Sequence, residues 1–419
     1  MEHVATKQSP PCKLGDFPQD FMEISLFPLL NTRDMNTLGQ INSGLYKSTA
    51  QSLLKRRLWN MTNLKEYLKT DPAISSGVYR VCEVQDPREI AGLEKLTELH
   101  FSVEFDMPLK PGDLPQSLKV LHLGQLYNQP LSEKTLPNLT HLQFGIGFTK
   151  RLTAGVLPES LLYLNFTGRY RHPFDTGVLP PHLVKLRIWG DGPRQAPFGQ
   201  LHSLRRLSLG GVSALLGGTP PPNLTHLELF VWDDFVPPMV IPRTVIRLRL
   251  VGGFDYELAA GVLPESLQKL VLGEWFNQPL EKCVIPRGVR VLKLGNCFDK
   301  PIPLGALPPA LTRLEIGDGF NCPILAHVLP PTLEYLKLGD RFNYPLHGVL
   351  PPNLTHLDLG SGYTYATSRD VWPPSIKSVH VKAPVTLLPP ARTRAAEALD
   401  KMREARRQEL MKKLHEQAQ

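Results

Sequence analysis

The sequence is poor in cysteine, and its cysteines follow no pattern of a shared site. There are five of them, an odd number, and no two form a CxxC pair. Their positions are Cys12, Cys82, Cys283, Cys297 and Cys322. A disulfide framework and a zinc site are therefore not indicated, and a reducing compartment is expected.

Long apolar runs are missing as well. The first residues, MEHVATKQSPPCKLGDF, lack the apolar core of a signal peptide. No uninterrupted apolar stretch in the sequence is long enough to span a membrane. We therefore expect no membrane partner and a cytoplasmic location.

The sequence also lacks the common catalytic motifs. It has no GxxxxGK[ST] phosphate loop, no HExxH zinc motif, no GxSxG nucleophile motif and no kinase signature set. We therefore expect a protein that binds a partner and is not an enzyme. No catalytic residue, metal or cofactor is predicted.

Proline, by contrast, is abundant, with 41 residues in a chain of 419, and most of it belongs to an internal repeat. Segments such as LPESLQKLVLG (263–273), LPPALTRLEIG (307–317) and LPPNLTHLDLG (350–360) recur in steps of 21 or 22 residues, apart from one step of 19. The first Leu, or its substitute, falls at positions 93, 114, 136, 157, 179, 201, 220, 241, 263, 285, 307, 329, 350 and 372. Such a period predicts a solenoid of about fourteen coils.

The pattern L-x-x-L-x-L in each unit predicts a short strand. In LTHLDL (354–359), Leu357 and Leu359 point to one side and Asp358 to the other, because side chains alternate along a strand. Identical strands one coil apart can stack only in parallel, so their leucines form one continuous core. Proline suits the extended start of each strand, and the glycine after it, such as Gly295, suits a sharp turn.

A second motif follows the glycine. It appears as FNQPL at 276–280, FNCPI at 320–324 and FNYPL at 342–346. Its aromatic and aliphatic side chains are expected to fill the second wall of each coil, and its Asn or Asp to satisfy backbone groups there. The alternation of the two motifs resembles the FNIP repeat family, a branch of the leucine-rich repeats known mainly from amoebae and their large DNA viruses. The resemblance covers roughly residues 93–381 and weakens at 190–240, where a loop or a kink is expected.

The string NLTHL occurs three times, at 138–142, 223–227 and 353–357. Each copy contains an N-x-T glycosylation sequon and a histidine. Because all three copies fall at the same phase of the repeat, repeat chemistry explains them better than glycosylation does. Their histidines lie four or more coils apart, so we expect exposed consensus residues and no metal site.

Residues 16–60 do not carry the repeat and show the apolar spacing of short helices. The segment resembles an F-box, which implies docking on a Skp-family adaptor. The residues expected to make that contact are Phe17, Pro18, Ile24, Leu29, Leu30 and Met35. The alternative is a helical cap that shields the first coil of the solenoid.

The fold class expected from these patterns is α+β, with four parts along the chain. Within the second part, Val78–Val84 is expected to form a strand. The last part follows Pro389-Pro390 and is rich in strong helix formers, with a solvated charged face as its simplest interpretation. The parts are an F-box-like helical domain at 16–60, a connector or N-terminal cap at 61–92, an FNIP/leucine-rich-repeat solenoid with a parallel β-sheet at 93–388, and a charged C-terminal helix at 391–419.

The outward positions of the strands are predominantly basic. Acidic residues at these positions are Glu98, Glu228, Glu315 and Asp358. The basic ones are Lys185, Arg187, Arg206, Arg247, Arg249, Lys269, Lys293, Arg313 and Lys337. This surplus favours an acidic or phosphorylated protein partner, although Lys and Arg can equally keep an open sheet face soluble. Nucleic acid is less favoured, because only Tyr163 and Tyr335 offer rings for base stacking.

The F-box resemblance implies a substrate-recognition adaptor of a cullin-type (Skp–cullin–F-box) ubiquitin ligase. Its helical segment would bind the Skp-family adaptor and the cullin complex, and its solenoid would bind the target. The alternative is a non-catalytic protein-interaction scaffold whose N-terminal helices only cap the solenoid. The expected location is the cytoplasm, or the host cytoplasm if the chain is viral.

Overall fold

One parallel sheet runs through the described part of the chain in the computed structural model. The structure describes residues 58–70, 75, 78–190, 196–212, 215–216, 218–231, 236, 240–365 and 372–382. The sheet has sixteen strands in these ranges, and each pairs with its neighbours in sequence order. The strands are β1 Trp59–Asn60, β2 Arg80–Val84, β3 Glu98–Phe101, β4 Val120–His122, β5 His141–Phe144, β6 Tyr163–Arg169, β7 Lys185–Trp189, β8 Arg206–Leu209, β9 His226–Val231, β10 Arg247–Gly252, β11 Lys269–Leu272, β12 Val291–Leu294, β13 Arg313–Ile316, β14 Tyr335–Lys337, β15 His356–Leu359 and β16 Ser378–Val381.

Strands β3 to β16 lie at the fourteen places that the repeat predicts. Their side chains alternate as expected: in β15, Leu357 and Leu359 are buried, whereas His356 is exposed. Leucines of successive coils pair across the sheet, as Leu336 does with Leu357. These strand positions and this pairing confirm the leucine-rich-repeat solenoid with a parallel sheet. In such a solenoid each coil buries its apolar side against the coils next to it.

The sheet begins before the first repeat. Helix α1, Met61–Thr70, follows β1 directly, and β2 then pairs in parallel with β1 and β3. Met61 and Leu64 of α1 are buried with Trp59 in the same core as the leucine ladder. The connector predicted at 61–92 therefore contains a helix that the sequence analysis did not anticipate, together with the expected strand.

The two other helical predictions lie outside the described residues. These are most of the F-box-like segment, including all six of its expected contact residues, and the C-terminal helix at 391–419. The helical elements of the described part of the chain are α1 and two short 3-10 helices, Pro87–Ile90 and Phe198–Gln200.

Aromatic rings stack from coil to coil in the second wall. Phe276, Phe298 and Phe320 lie with ring centroids 6.2 and 5.9 Å apart and nearly parallel planes. The series continues to Phe254 on one side and to Phe342 and Tyr363 on the other. A shorter series joins Phe105, Tyr127, Phe148 and Tyr170. The aromatic position of the second motif therefore fills the core opposite the sheet, as predicted.

The Asn or Asp of the same motif ties each coil to the next. Asn277 Oδ1 accepts the backbone N–H of Asp299 at 2.9 Å, and Asp299 Oδ1 accepts that of Asn321 at 2.9 Å. Asn128 and Asn343 accept from Thr149 and Thr364 in the same way. These bonds satisfy backbone donors in a wall that has no regular ladder of its own, as the sequence predicts.

Glycine is required after the strands because the coils approach each other closely there. A Cβ placed on Gly295 would overlap the carbonyl oxygen of Gly273, and one on Gly339 would overlap that of Gly317. The left-handed backbone occurs elsewhere, just before the LP dipeptide. Gly305 has φ 82° there, and His327 holds the equivalent position with φ 65°.

The second wall divides the solenoid into two kinds of coil. We call residues 105–190 and 254–365 the FNxP coils and residues 191–253 the middle coils. In the middle coils the aromatic series is interrupted between Tyr170 and Phe254, and Phe198 is a buried ring without a stacked aromatic partner among the described residues. The sheet nevertheless continues in register through β7 to β10. The loop or kink expected at 190–240 therefore does not interrupt the register of the described strands, and much of that segment lies outside the described residues.

Candidate functional site: the exposed face of the sheet

The outward side chains of β3 to β16 form two parallel rows across the sheet. The register shows this directly, because Arg247 pairs with His226 and Lys269, and Arg249 pairs with Glu228 and Val271. The first row is Glu98, Val120, His141, Tyr163, Lys185, Arg206, His226, Arg247, Lys269, Val291, Arg313, Tyr335, His356 and Ser378. The second row, two residues further along each strand, is His100, His122, Gln143, Asn165, Arg187, Ser208, Glu228, Arg249, Val271, Lys293, Glu315, Lys337, Asp358 and His380.

Four cations of the first row lie within five consecutive strands. Lys185, Arg206, Arg247 and Lys269 occupy β7, β8, β10 and β11, with His226 of β9 between them. None of the four makes an ion pair with a carboxylate in the described part of the chain. Strands are about 4.8 Å apart, so these five positions span about 19 Å. We call the five residues the cationic row.

Burial and neighbouring positive charges lower the pKa values of two members of the cationic row. Burial lowers the pKa of Lys269, and the charges of Lys293, Arg247 and Arg249 lower it further. The pKa of His226 is also lowered, first by burial and then by Arg206 and Arg247. Both shifts have the sign expected of partly buried basic groups beside other cations, and Glu315 partly offsets the shift of Lys269.

The second row, in contrast, alternates cations with acids that neutralise them. Arg249 Nε lies 3.0 Å from Glu228, and Lys293 Nζ lies 2.6 Å from Glu315. Glu315 also pairs with Arg313 of the first row at 2.6 Å. Burial raises the pKa of Glu315, but hydrogen bonds from Lys293 and Arg313 outweigh it and leave the pKa below its usual value.

The nine basic residues proposed from the sequence therefore do not form one uniform stripe. Four lie in the cationic row and three are paired with acids, as described above. Lys337 has no ion pair among the described residues, and Arg187 lies beside two aromatic rings, with its guanidinium carbon 5.6 Å from the centroid of Trp189 and 5.7 Å from that of Phe230. The alternation along each strand predicts which residues point outward. Which of them form ion pairs depends on the contacts between side chains of neighbouring strands.

Two depressions lie on this face and adjoin each other. One has a volume of about 260 Å³ and is lined by the five residues of the cationic row, among others. The other, of about 640 Å³, lies further along the strands and is lined by Arg187, Phe230, Val251, Val271 and Trp275, with the paired ions beside them. Glu228 and Arg249 line both depressions. The cationic row and the recess of about 640 Å³ are thus contiguous.

A different cluster occupies the N-terminal end of the face. His100 and His122 stack with ring centroids 4.0 Å apart, and Glu98 bonds both His100 and Arg80. Burial, followed by the charge of His100, lowers the pKa of His122 to about 4. The sequence analysis missed this cluster, although histidines at the same place in two consecutive coils are its visible signal.

The NLTHL strings have a structural role. The Thr225 hydroxyl donates to the carbonyl of Arg205 in the preceding coil at 3.1 Å, and His226 Nδ1 lies 2.9 Å from the same hydroxyl. Asn223 Nδ2 donates to the carbonyl of His202 at 3.0 Å. The side chains of this sequon therefore help to hold adjacent coils together.

The described ranges contain no group of three or more His, Cys, Asp or Glu side chains that could hold a metal ion. Within the same ranges, no helix has the length and apolar character needed to cross a membrane.

A protein-family comparison matches about half of the chain. The matching model is described as FNIP Repeat, and it covers residues 105–147, 148–190, 254–297, 298–341 and 342–380. The unmatched interval between 190 and 254 corresponds to the middle coils. The family match and the stacked second wall therefore identify the same part of the chain.

Solved structures of leucine-rich-repeat type resemble the chain. CroV588, described as a novel circular LRR protein, is 32% identical with a TM-score of 0.60, over 73% of this chain and 46% of that chain. The chain thus spans less than half the length of that protein. A Leptospira interrogans LRR protein is 19% identical (TM-score 0.41, 69% of this chain and 80% of that one), and YopM from Yersinia enterocolitica is 19% identical (TM-score 0.34, 73% and 76%). A search of curated protein sequences found no match.

Proposed function

The chain belongs to the FNIP repeat family, and from that premise we propose that it binds an acidic or phosphorylated protein through the exposed face of its sheet. The fold suits protein–protein interaction, because a solenoid presents a long surface on which each coil contributes similar positions. The cationic row is the observation that carries this proposal. It is a place where incoming carboxylates or phosphates would meet four cations that form no ion pair with a carboxylate in the described residues.

Arginine supplies specificity beyond net charge. Arg206 and Arg247 present planar guanidinium groups that can bind a carboxylate or a phosphate through two parallel hydrogen bonds, whereas Lys185 and Lys269 act as point charges. Charge of one sign also speeds association with an oppositely charged partner. Single-stranded nucleic acid is less well matched, because the ring of Tyr335 is already engaged by Arg313, whose guanidinium carbon lies 3.7 Å from its centroid.

Charge reversal of the row tests this proposal. The full chain and its Arg206→Glu/Arg247→Glu/Lys269→Glu variant would each be used to select from a displayed library of acidic protein segments. The matched control is Arg243→Glu/Arg287→Glu/Arg290→Glu, which changes the same net charge at three exposed residues outside both rows. We expect wild type and control to enrich acidic segments, and binding to the row variant to fall at least about tenfold.

The proposal fails if the row variant retains its circular dichroism spectrum and still enriches the same segments as the wild type. Equal loss of binding in the control would show a general effect of net charge. Enrichment that survives replacement of Asp and Glu in the segments by Asn and Gln would point to a partner of other chemistry.

We further propose that the chain is a substrate-recognition adaptor of a Skp–cullin–F-box ubiquitin ligase. Support comes from the sequence of residues 16–60 and from the resemblance to FNIP-repeat chains, which often carry an F-box at this end. Pull-down with a Skp-family adaptor, comparing wild type with Pro18→Ala/Leu30→Asp, tests this role. We expect the adaptor to capture the wild type and not the variant. No capture of the wild type would leave the interaction scaffold as the function of the chain.

A further inference from the structure

The recess beyond the cationic row is lined by paired ions and also by apolar side chains, among them Phe230, Val251 and Val271. Phe230 and Val251 pair with each other at the ends of β9 and β10, and Val271 lies in the second row of β11. All three are only partly buried on the exposed face. Between the cationic row and the pair Phe230 and Val251 lies the Arg249–Glu228 ion pair, which carries no net charge and has Val271 beside it in the same row.

The strand direction sets the distance between these two surfaces. Val251 follows Arg247 by four residues in β10, and Phe230 follows His226 by four in β9. A strand in a parallel sheet rises about 3.3 Å per residue, so the apolar end lies about 13 Å from the cationic row. An extended partner segment aligned with the strands covers the same distance in four residues.

The apolar end is suited to an aromatic ring. The Trp189 and Phe230 rings lie 4.3 Å apart at 54°, and the Arg187 guanidinium lies beside both. Offset or edge contacts between rings, and contact of a ring with a guanidinium, are each favourable. The recess of about 640 Å³ has room for such a side chain next to Val251 and Val271.

We propose that the partner segment carries an acidic residue and, four positions away, an aromatic side chain, and that it lies along the strands with the acid on the cationic row and the ring in the recess at Phe230, Val251 and Val271. This inference rests on the proposed function, since the same row holds the acid. It adds a second contact and a fixed spacing. Negative charge alone would then not be sufficient, and the partner would also need an aromatic residue four positions from the acid.

Labelled peptides test the spacing on the full chain by fluorescence anisotropy. The probe contains Glu-Glu-Gly-Ser-Gly-Phe, and its relatives replace Phe by Ala, shorten the spacer to one residue, or replace both Glu by Gln. We expect the Phe probe to bind the wild type about tenfold more tightly than the Ala and short-spacer probes, because burial of an aromatic ring contributes about that much.

Two matched variants separate the recess from the row. Val251→Ser/Val271→Ser removes apolar surface within the recess, and Val120→Ser/Val291→Ser makes the same change at two first-row positions outside it. We expect the recess variant to bind the Phe and Ala probes with similar affinity, and the control to retain the preference for Phe. Thermal melts followed by circular dichroism verify that both variants fold.

Each remaining outcome has a definite meaning. If the wild type binds the Phe and Ala probes equally, and both depend on Glu, the recess inference is overturned while the proposed function stands. If the short-spacer probe binds as well as the full probe, the alignment along the strands is overturned. If no probe binding depends on Glu, the proposed function fails, and the recess inference fails with it.

Discussion

The FNxP coils and the middle coils share one wall and differ in the other. In both, an inward leucine ladder supports a sheet in unbroken register, as Leu207 and Leu227 show in the middle coils and Leu292 and Leu314 in the FNxP coils. In the described residues, the FNxP coils add stacked rings and the bonds that the Asn or Asp of the FNxP motif accepts from the next coil. Continuity of the solenoid therefore depends on the sheet, and the second wall is free to vary.

This freedom coincides with the candidate site. Three of the five members of the cationic row, Arg206, His226 and Arg247, project from strands of the middle coils. The wall behind them lacks the FNxP motif, yet the sheet holds these side chains in the same register as elsewhere. The difference teaches that the repeat motif and the binding face are specified by separate positions of the coil.

The largest expected effect tests the shared wall. Leu207→Ala in the middle coils and Leu292→Ala in the FNxP coils each remove a side chain that is at most 2% exposed. We expect both to lower the free energy of unfolding by about 3 kcal/mol, because each leaves a cavity in the same ladder. Urea unfolding measures the two values. A much smaller cost for Leu207→Ala would break the comparison, since it would show the middle coils to be loosely packed on the sheet side as well.

The second prediction concerns the wall that differs. Phe298 stacks between Phe276 and Phe320, whereas Phe198 of the middle coils has no stacked aromatic partner in the part of the chain described. Phe298→Leu should therefore lower the free energy of unfolding by about 1–2 kcal/mol, and by more than Phe198→Leu does, because it loses ring stacking as well as volume. Equal costs in urea unfolding would contradict a contribution from the aromatic series.

A smaller effect is expected from the hydrogen bonds between coils. Asn277→Ala removes the acceptor for the backbone N–H of Asp299 at 2.9 Å, and we expect a cost of about 1 kcal/mol in the free energy of unfolding. Asn296→Ala is the matched control, because its side chain accepts from Asp318 only at 3.4 Å. The two variants would be compared by thermal melting. If Asn296→Ala lowered stability as much as Asn277→Ala does, the bonds between FNxP motifs would contribute no more than other contacts between coils.

The smallest predicted effect has the opposite sign. His327 has φ 65° at a position where Gly305 and Gly348 stand in the neighbouring coils. His327→Gly should raise the free energy of unfolding by roughly 0.5 kcal/mol, because relief of the left-handed strain exceeds the entropy cost of glycine. Ala326→Gly, one residue away and without a left-handed backbone, should instead lower it. A loss of stability in His327→Gly would contradict the strain argument.

Much of the solenoid could be predicted from the sequence, because the same pattern of apolar and polar residues recurs in every coil. The strand positions, the inward leucines and the roles of the FNxP side chains all follow from period and alternation, since these decide which side of a strand a residue occupies. Helix α1 was not predicted, because Met61–Thr70 occurs once and has no repeat to reveal it. Its position in the core depends on tertiary contacts of Leu64 that no local pattern expresses.

The candidate site was predicted only in outline. Alternation identifies Arg249 and Lys293 as outward residues, but their neutralisation depends on Glu228 and Glu315, which lie in adjacent coils about 21 or 22 residues away in sequence. Similarly, the recess at Phe230 and Val251 arises because β9 and β10 extend beyond the usual strand length. Such features need the register of neighbouring coils, which the sequence alone does not provide directly.

The close contact at Gly295 and Gly339 has a consequence for how such a chain can change its length over time. Each glycine leaves room for the backbone of the coil before it, and each Asn or Asp bonds the coil after it. Deletion of part of an FNxP coil would place a Cβ against a carbonyl group and leave a backbone donor unpaired, whereas gain or loss of one whole FNxP coil would rejoin equivalent surfaces. Duplication and excision of complete coils is therefore the tolerated route of variation, and each such event would shift the outward charges of the sheet by one strand and so change which partners the face can accept.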